Sequence, residues 1–378
     1  MQDLHSINLI AAKRRYHHPL NPLNLLNLLN PHARKGVSMG DTTTLSRQRR
    51  LSPPERSEYN LFTQPAAQPR PSEPLQNSQY IHTYIQHTKE TIMNSDFSRI
   101  PIAVIGLGLM GGSFAKRLKE LGHPVIGLNR TESVAQEALA MGIVDSIDPM
   151  DLKKAEIVIF CTPEKGTLAF IKEHLPLLHE RAVLTDIAGV KNGFAKEVKA
   201  LLPEGLDFVS GHPMCGKEGA GLAQSDGAIF DGANYVLIPE PWNSPAHLSL
   251  VKCMAEELGC AHVPVVTAEE HDRAIAYTSD LTHVVATSLM NSASYSEKTK
   301  YFIGGSFRDE TRVADINGKL WTSLFLSNRE KLLEEIDRFG AALSAIRKAI
   351  DEGNEEEITA FLEEAGRRRR EMIHRGNS

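Results

Sequence analysis

The feature that most constrains this chain is a glycine pattern, Gly106-Leu107-Gly108-Leu109-Met110-Gly111. It lies directly behind the apolar run Ile102-Ala103-Val104-Ile105 and opens a stretch with helical spacing from Leu109 to Leu121. The string G-x-G-x-x-G is weak alone, but between a strand and a helix it marks a dinucleotide-binding turn. Gly106 permits the tight turn, Gly108 lets the backbone approach a pyrophosphate, and Gly111 allows the helix to pack closely on the strand. The helix then offers free amides and its positive dipole end to the phosphates. Gly106, Gly108, Leu109, Met110 and Gly111 are therefore candidate cofactor contacts. So is Thr162, behind the apolar run Ile157–Phe160.

A turn of that kind needs a parallel sheet around it. Further short apolar runs occur at 124–128, 157–160, 182–185, 208–210 and 235–238, and helical stretches alternate with the early ones. This alternation predicts an α/β fold with a doubly wound parallel sheet of the Rossmann type. After about Pro264 strand signals stop. Residues 268–296, 319–351 and 354–374 carry helical periodicity, with Glu269-Glu270 suited to a helix N-terminus. The expected organisation is a Rossmann domain over 99–264 followed by an all-α domain over 265–378. The long apolar faces of the latter favour packing against a second copy, a homodimer.

Residues 1–98 read differently. They are rich in Pro, Ser, Gln, Asn and His and show no sustained amphipathic period, so a disordered tail is expected. An over-extended gene start is the favoured reading, with Met93 as a natural initiator. A basic organelle-targeting segment is the alternative to a cytoplasmic protein. Residues 1–92 hold 11 Lys/Arg against 6 Asp/Glu, so the other 286 residues carry −10 within a chain of net charge −5. An acidic body argues against a nucleic-acid partner, and no apolar run is long enough for a membrane span. Cys161, Cys215, Cys253 and Cys260 form no C-x-x-C pair and no zinc spacing, so no metal is expected. Cys215 reads as a small packing residue rather than a nucleophile.

The end of the second strand bears on cofactor choice. An acid there would take the ribose hydroxyls of NAD, but the chain reads Asn129-Arg130-Thr131. An uncharged acceptor, a guanidinium and a hydroxyl favour the 2′-phosphate of NADP, with NAD as the alternative. About a hundred residues after the glycine turn stands His212, in Gly211-His212-Pro213-Met214-Cys215-Gly216-Lys217-Glu218. A neutral imidazole beside a nicotinamide can accept a proton while hydride leaves the substrate. His212 is the candidate catalytic residue.

Residues 100–378 resemble the prephenate/arogenate dehydrogenase family of tyrosine biosynthesis. The likeness is carried by Gly106–Ser113, by His212–Glu218, by Phe307-Arg308-Asp309-Glu310-Thr311-Arg312-Val313-Ala314 with Leu320-Trp321, and by a looser block, His271-Asp272-Arg273 with Ser279-Asp280-Leu281-Thr282-His283. The resemblance implies oxidative decarboxylation of prephenate to 4-hydroxyphenylpyruvate, or of arogenate to tyrosine, with His212 taking the C4 hydroxyl proton. It implies Arg312 on a substrate carboxylate and His283 in contact with substrate. Trp321 would wall the pocket or belong to the core, and Glu218 could gate the site through an arginine. Two positions depart from the family pattern. Asp186-Ile187-Ala188-Gly189-Val190-Lys191 has glycine where many relatives place a serine bonded to the catalytic histidine, so another group or water must orient His212. Asp280 stands where relatives often have histidine. It would favour the amine of arogenate if it faces substrate, and would otherwise be a helix-paired acid. Two rival readings, a β-hydroxyacid dehydrogenase and a non-catalytic NADP-sensing regulator, lack features seen here. The first needs a lysine motif that neither Lys298 nor Lys300 sits in, and the second needs no proton acceptor.

Overall fold

The computed structural model describes residues 99–216 and 219–375. The expectations for residues 1–98 and for Glu218 fall outside the described residues.

Short β-rich runs and longer amphipathic runs alternate as the sequence predicts. In chain order the first half contains β1 (Ile102–Ile105), α1 (Leu109–Glu120), β2 (Val125–Leu128), α2 (Glu132–Ala140), β3 (Ile157–Phe160), α3 (Glu164–His174), β4 (Val183–Asp186), α4 (Phe194–Lys199), β5 (Asp207–Pro213), β6 (Tyr235–Ile238) and α5 (Pro245–Glu257). The strands form one sheet of order β2-β1-β3-β4-β5-β6. The first five are parallel, and β6 runs antiparallel against β5, pairing Val236 with His212. Every residue of β1, β2, β3 and β4 is buried, as a sheet covered on both faces requires.

Because side chains alternate across a strand, the apolar residues divide into two cores. Ile102, Val104, Ile157, Ile159, Val183 and Val209 join Phe114 of α1 and Leu248, Val251 and Met254 of α5. Ala103, Ile105, Val158, Phe160, Leu184 and Phe208 join Ile171 of α3 and Phe194 and Val198 of α4. Each large side chain so buried contributes roughly 1.5–3 kcal/mol of transfer free energy.

The chain leaves the sheet along the edge of β6, where Leu237 N donates to Pro264 O (2.9 Å) and Val266 N to Leu237 O (3.1 Å). From there every described element is helical: α6 (Ala268–Ile275), α7 (Leu281–Met290), α8 (Gly305–Thr311), α9 (Gly318–Ser327), α10 (Arg329–Asp351) and α11 (Glu355–Arg375). Thr267 and Glu270 start α6 with a reciprocal capping box, a device worth about 1 kcal/mol. The long helix expected over 268–296 is interrupted. Ala276–Asp280 form one π-helical turn between α6 and α7, and α7 ends at Met290. Periodicity alone gives no sign of such an insertion, since it shifts the helical face by a single residue. Leu326, Leu343, Ile350 and Leu362 on the later helices are all more than half exposed. Among the described residues, no helix is long and apolar enough to cross a membrane.

Candidate active site

The candidate residues of the sheet lie at the carboxyl ends of the parallel strands. The glycine turn follows β1 and Thr162 follows β3, which lie on either side of the point where strand order reverses. Open α/β sheets bind ligands in that crevice.

The turn fits a dinucleotide. Gly106 has φ +95°, and a Cβ there would lie 2.7 Å from Thr162 Cγ2. A Cβ on Gly111 would fall 1.8 Å from Gly106 O, so strand and helix touch backbone to backbone. A Cβ on Gly108 meets nothing within 4 Å, which leaves its outward side open for a phosphate. Gly108 caps α1 without a side-chain hydrogen bond, so the first amides of the helix are not covered by a cap. Leu109 and Met110 form the first turn of that helix. Thr162 Oγ1 is hydrogen-bonded to Thr167 Oγ1 at 2.8 Å, fixing the loop after β3.

Asn129 differs from expectation. Its Oδ1 accepts from Leu107 N (3.0 Å) and its Nδ2 donates to Thr131 O (3.0 Å). The amide side chain braces the glycine turn, using one of its lone pairs and one of its N–H groups. Arg130 and Thr131 are exposed beside it, and the Thr131 hydroxyl makes no cap bond to α2.

His212 stands near the carboxyl end of β5, half-buried. Its Nδ1 lies 2.9 Å from Nε2 of His271 on α6. His271 Nδ1 is in turn 2.8 Å from Asp272 Oδ1. Asp272 also accepts from the backbone amides of Lys191 (2.8 Å) and Asn192 (2.9 Å). Three donors hold its carboxyl below the usual aspartate range, although burial opposes them. Burial chiefly, with the Lys191 charge and His271 adding to it, pushes the His212 pKa well below the ordinary histidine value. His212 is thereby kept neutral, the state a proton acceptor needs.

The loop after β4 supports the same histidine from below. Asp186 and Lys191 form a buried ion pair (2.7 Å), and Lys191 Nζ also donates to Gly211 O (2.7 Å), next to His212. Ser210 Oγ donates to Asp186 Oδ1 at 2.8 Å. Gly189 stands in this loop without a hydroxyl, and a Cβ there would lie 4.0 Å from His212 Cε1 and 3.5 Å from Leu324 Cδ2 of α9. Burial pushes the Cys215 thiol up to about 12, which disfavours the thiolate a nucleophile needs.

The helical residues are partly brought together. His283 and Trp321 stack with ring centroids 3.5 Å apart and planes inclined by 29°. His283 Nδ1 donates to Ser279 O (2.8 Å). Burial lowers the His283 pKa, and the nearby Arg312 charge lowers it further. Arg312 is exposed and begins the short turn that follows α8. Asp280 corrects the idea of a substrate-facing acid. It is 1% exposed, and Asn328 Nδ2 donates to its Oδ2 at 2.9 Å while also donating to Asp272 O at 2.8 Å. An atom closed to solvent cannot reach a substrate amine, and burial raises this carboxyl to about 6.

Sequence reasoning alone assigns no role to His271 in this site. Its signal was present only as part of the block His271-Asp272-Arg273, since the partner lies 59 positions away in another element.

Comparison with known proteins places this arrangement. The family profile "Prephenate dehydrogenase, nucleotide-binding domain" matches residues 114–264, and "Prephenate dehydrogenase, dimerization domain" matches residues 267–364. The prephenate dehydrogenase of Bacillus subtilis is 31% identical over 278 residues, covering 70% of this chain and 74% of that protein. The chain belongs to the prephenate dehydrogenase family. Its relatives include the cyclohexadienyl dehydrogenase of Zymomonas mobilis, 31% identical over 66% of this chain and 88% of that protein. Among solved structures, prephenate dehydrogenase from A. aeolicus with hydroxyphenyl propionate and NAD+ superposes with a TM-score of 0.65. It is 29% identical and covers 72% of this chain and 98% of that one. Synechocystis arogenate dehydrogenase gives 0.64 at 28% identity, over 72% of this chain and all of that one. In this family member, then, His212 and the Asp186–Lys191 loop lie at the carboxyl end of the nucleotide-binding sheet, and His271 reaches them from α6.

Proposed function

We propose that this chain oxidatively decarboxylates prephenate to 4-hydroxyphenylpyruvate with a nicotinamide cofactor. The observation that carries the reading is a neutral, buried-edge histidine at the carboxyl end of β5, on the same side of the sheet as the glycine turn. The cofactor, held by Gly106, Gly108, Leu109, Met110 and Gly111 with Thr162 beside it, supplies the hydride acceptor when bound. As hydride departs from C4, His212 Nε2 takes the C4 hydroxyl proton and the oxygen lone pair forms a carbonyl. The C1–carboxylate bond then breaks, CO₂ leaves, and its electron pair aromatises the ring. The proton returns from His212 to the C4 oxygen. Because aromatisation drives the reaction, the protein has mainly to position and polarise.

Arg312 provides a fixed cation for a substrate carboxylate, a task suited to a bidentate guanidinium. The His283–Trp321 stack forms a wall for the ring, and Glu218 is retained as a gating residue on sequence grounds alone. Prephenate is favoured over arogenate because Asp280, the one residue that suggested an amine, is paired inside the protein. NADP is favoured over NAD because Arg130 and Thr131 are exposed where the adenosine ribose would lie and the strand-end position itself is Asn129 rather than an acid. The exposed apolar residues of the last helices, together with the family's dimerization domain, support a homodimer with the helical domain, from about residue 265, at its interface. Four free cysteines suit a reducing cytoplasm.

Purified protein supplied with prephenate or arogenate and NAD or NADP tests the proposal by absorbance of the reduced nicotinamide. The expected outcome is turnover with prephenate, fastest with NADP. Cofactor binding without turnover of either cyclohexadiene would refute it.

A further inference from the structure

His212 has one ring nitrogen committed within the protein, and the identity of its partner decides which nitrogen is left to act. Asp272 is an acceptor only, and it already receives the amides of Lys191 and Asn192. The 2.8 Å contact from His271 Nδ1 to Asp272 Oδ1 therefore places a proton on His271 Nδ1. A His271 ring that carries only this proton has a bare Nε2, which can only accept. The 2.9 Å contact then requires His212 to donate from Nδ1, which leaves His212 Nε2 unprotonated. A serine hydroxyl, able to donate or accept, would not impose this choice.

We propose that His271, anchored by Asp272, is the positioning residue for His212 and takes the place of the serine missing at Gly189. The inference rests on the dehydrogenase reading for its catalytic meaning. The arrangement does two things. It fixes the Nδ1–H tautomer of His212, making Nε2 the proton-accepting atom. It also places an imidazole and a carboxylate in line behind His212, so that positive charge gained at Nε2 is stabilised across the chain His212–His271–Asp272. The supports are rigid. His271 and Asp272 are 3% and 2% exposed, α6 is fixed by its capping box, and Asn328 donates to Asp272 O. The coupling also crosses from the helical segment to the sheet, so His212 is aligned only when α6 is docked on the Asp186–Lys191 loop.

The space at Gly189 supplies an internal control. A Cβ there makes ordinary contacts, 4.0 Å from His212 Cε1 and 3.5 Å from Leu324 Cδ2. A serine fits, and its hydroxyl comes within reach of the imidazole edge.

Two measurements test the proposal. Nitrogen-15 NMR of histidine-labelled protein, without substrate, should show His212 with Nδ1 protonated and Nε2 bare at neutral pH. The opposite tautomer would overturn the proposal whether or not prephenate is the substrate. In kinetics, His271→Leu should lower kcat about 10–100-fold while KM for prephenate changes less than about threefold. His271→Gln, which keeps an acceptor near the Nε2 position, should recover most of the loss, and Gly189→Ser in the His271→Leu background should recover at least about fivefold. A merely structural role would lower the melting temperature without rescue by Gly189→Ser, and that result would also overturn the proposal. If His271→Leu does not fold, His271→Gln and the tautomer measurement carry the test. A folded His271→Gln protein as impaired as His212→Asn would then count against it.

Discussion

His212 Nδ1 and His271 Nε2 are 2.9 Å apart, a contact between a strand end of the nucleotide-binding sheet and the first helix beyond it. Gly189, in the loop after β4, has no hydroxyl to offer the His212 imidazole, and the contact reaches it from the helical side.

The depressed pKa of His212 has a pH consequence. Its folded value lies below the unfolded value of about 6.5, with burial the main cause and Lys191 and His271 contributing. Between those two values the unfolded chain binds the extra proton and the folded one does not. Stability therefore rises with pH through that window and falls as pH drops below about 6.5. The same shift keeps His212 neutral in acid, so the acid limb of kcat/KM should lie below pH 6.5. A limb at or above 6.5 would contradict the shift.

Lys191 and Asp186 are each 2% exposed and paired at 2.7 Å. Lys191→Met should leave a buried carboxylate without its cation and cost about 3–5 kcal/mol, read as a lowered denaturant midpoint. Activity should fall too, because Lys191 also holds the Gly211 carbonyl beside His212. A midpoint within error of the wild type would show that the pair does not stabilise the site loop.

Two glycines of the turn should respond differently. Gly111→Ala puts a methyl 1.8 Å from Gly106 O, so backbone must shift at a cost of about 1–3 kcal/mol. Gly108→Ala meets nothing within 4 Å and should melt like the wild type. It should still weaken cofactor binding, by calorimetry, because its methyl occupies the side the pyrophosphate approaches. Wild-type affinity in Gly108→Ala would displace the cofactor from this turn.

Arg130 decides cofactor preference in this account. Arg130→Ala should weaken NADP about 10–100-fold by loss of a charge-assisted bond, with NAD binding unchanged, as measured by fluorescence titration. Equal losses for both cofactors would make Arg130 an adenine contact instead.

Much of this was legible in the sequence because it rests on local chemistry. The turn Gly106–Gly111 announces its own backbone geometry, and the apolar runs of β1 to β4 match strands buried on both faces. Asn129 has a bracing role as well, and its contact with Leu107 N is visible only in three dimensions. Asp280 left two readings open, and the pairing that decides between them involves Asn328, 48 residues away. The π-helical turn at Ala276–Asp280 adds one residue to an otherwise helical pattern and leaves no compositional mark. His271 was visible as a residue but not as a partner, since no spacing rule links a strand end to a helix 59 residues later.

In the proposed reaction His212 accepts the proton that accompanies hydride loss from prephenate. Turnover of prephenate by His212→Asn, compared with wild type at saturating cofactor, tests it most directly. Loss of the imidazole should lower kcat about 10²–10⁴-fold with cofactor affinity and melting temperature preserved. A His212→Asn protein that turns over prephenate at the wild-type rate would contradict it.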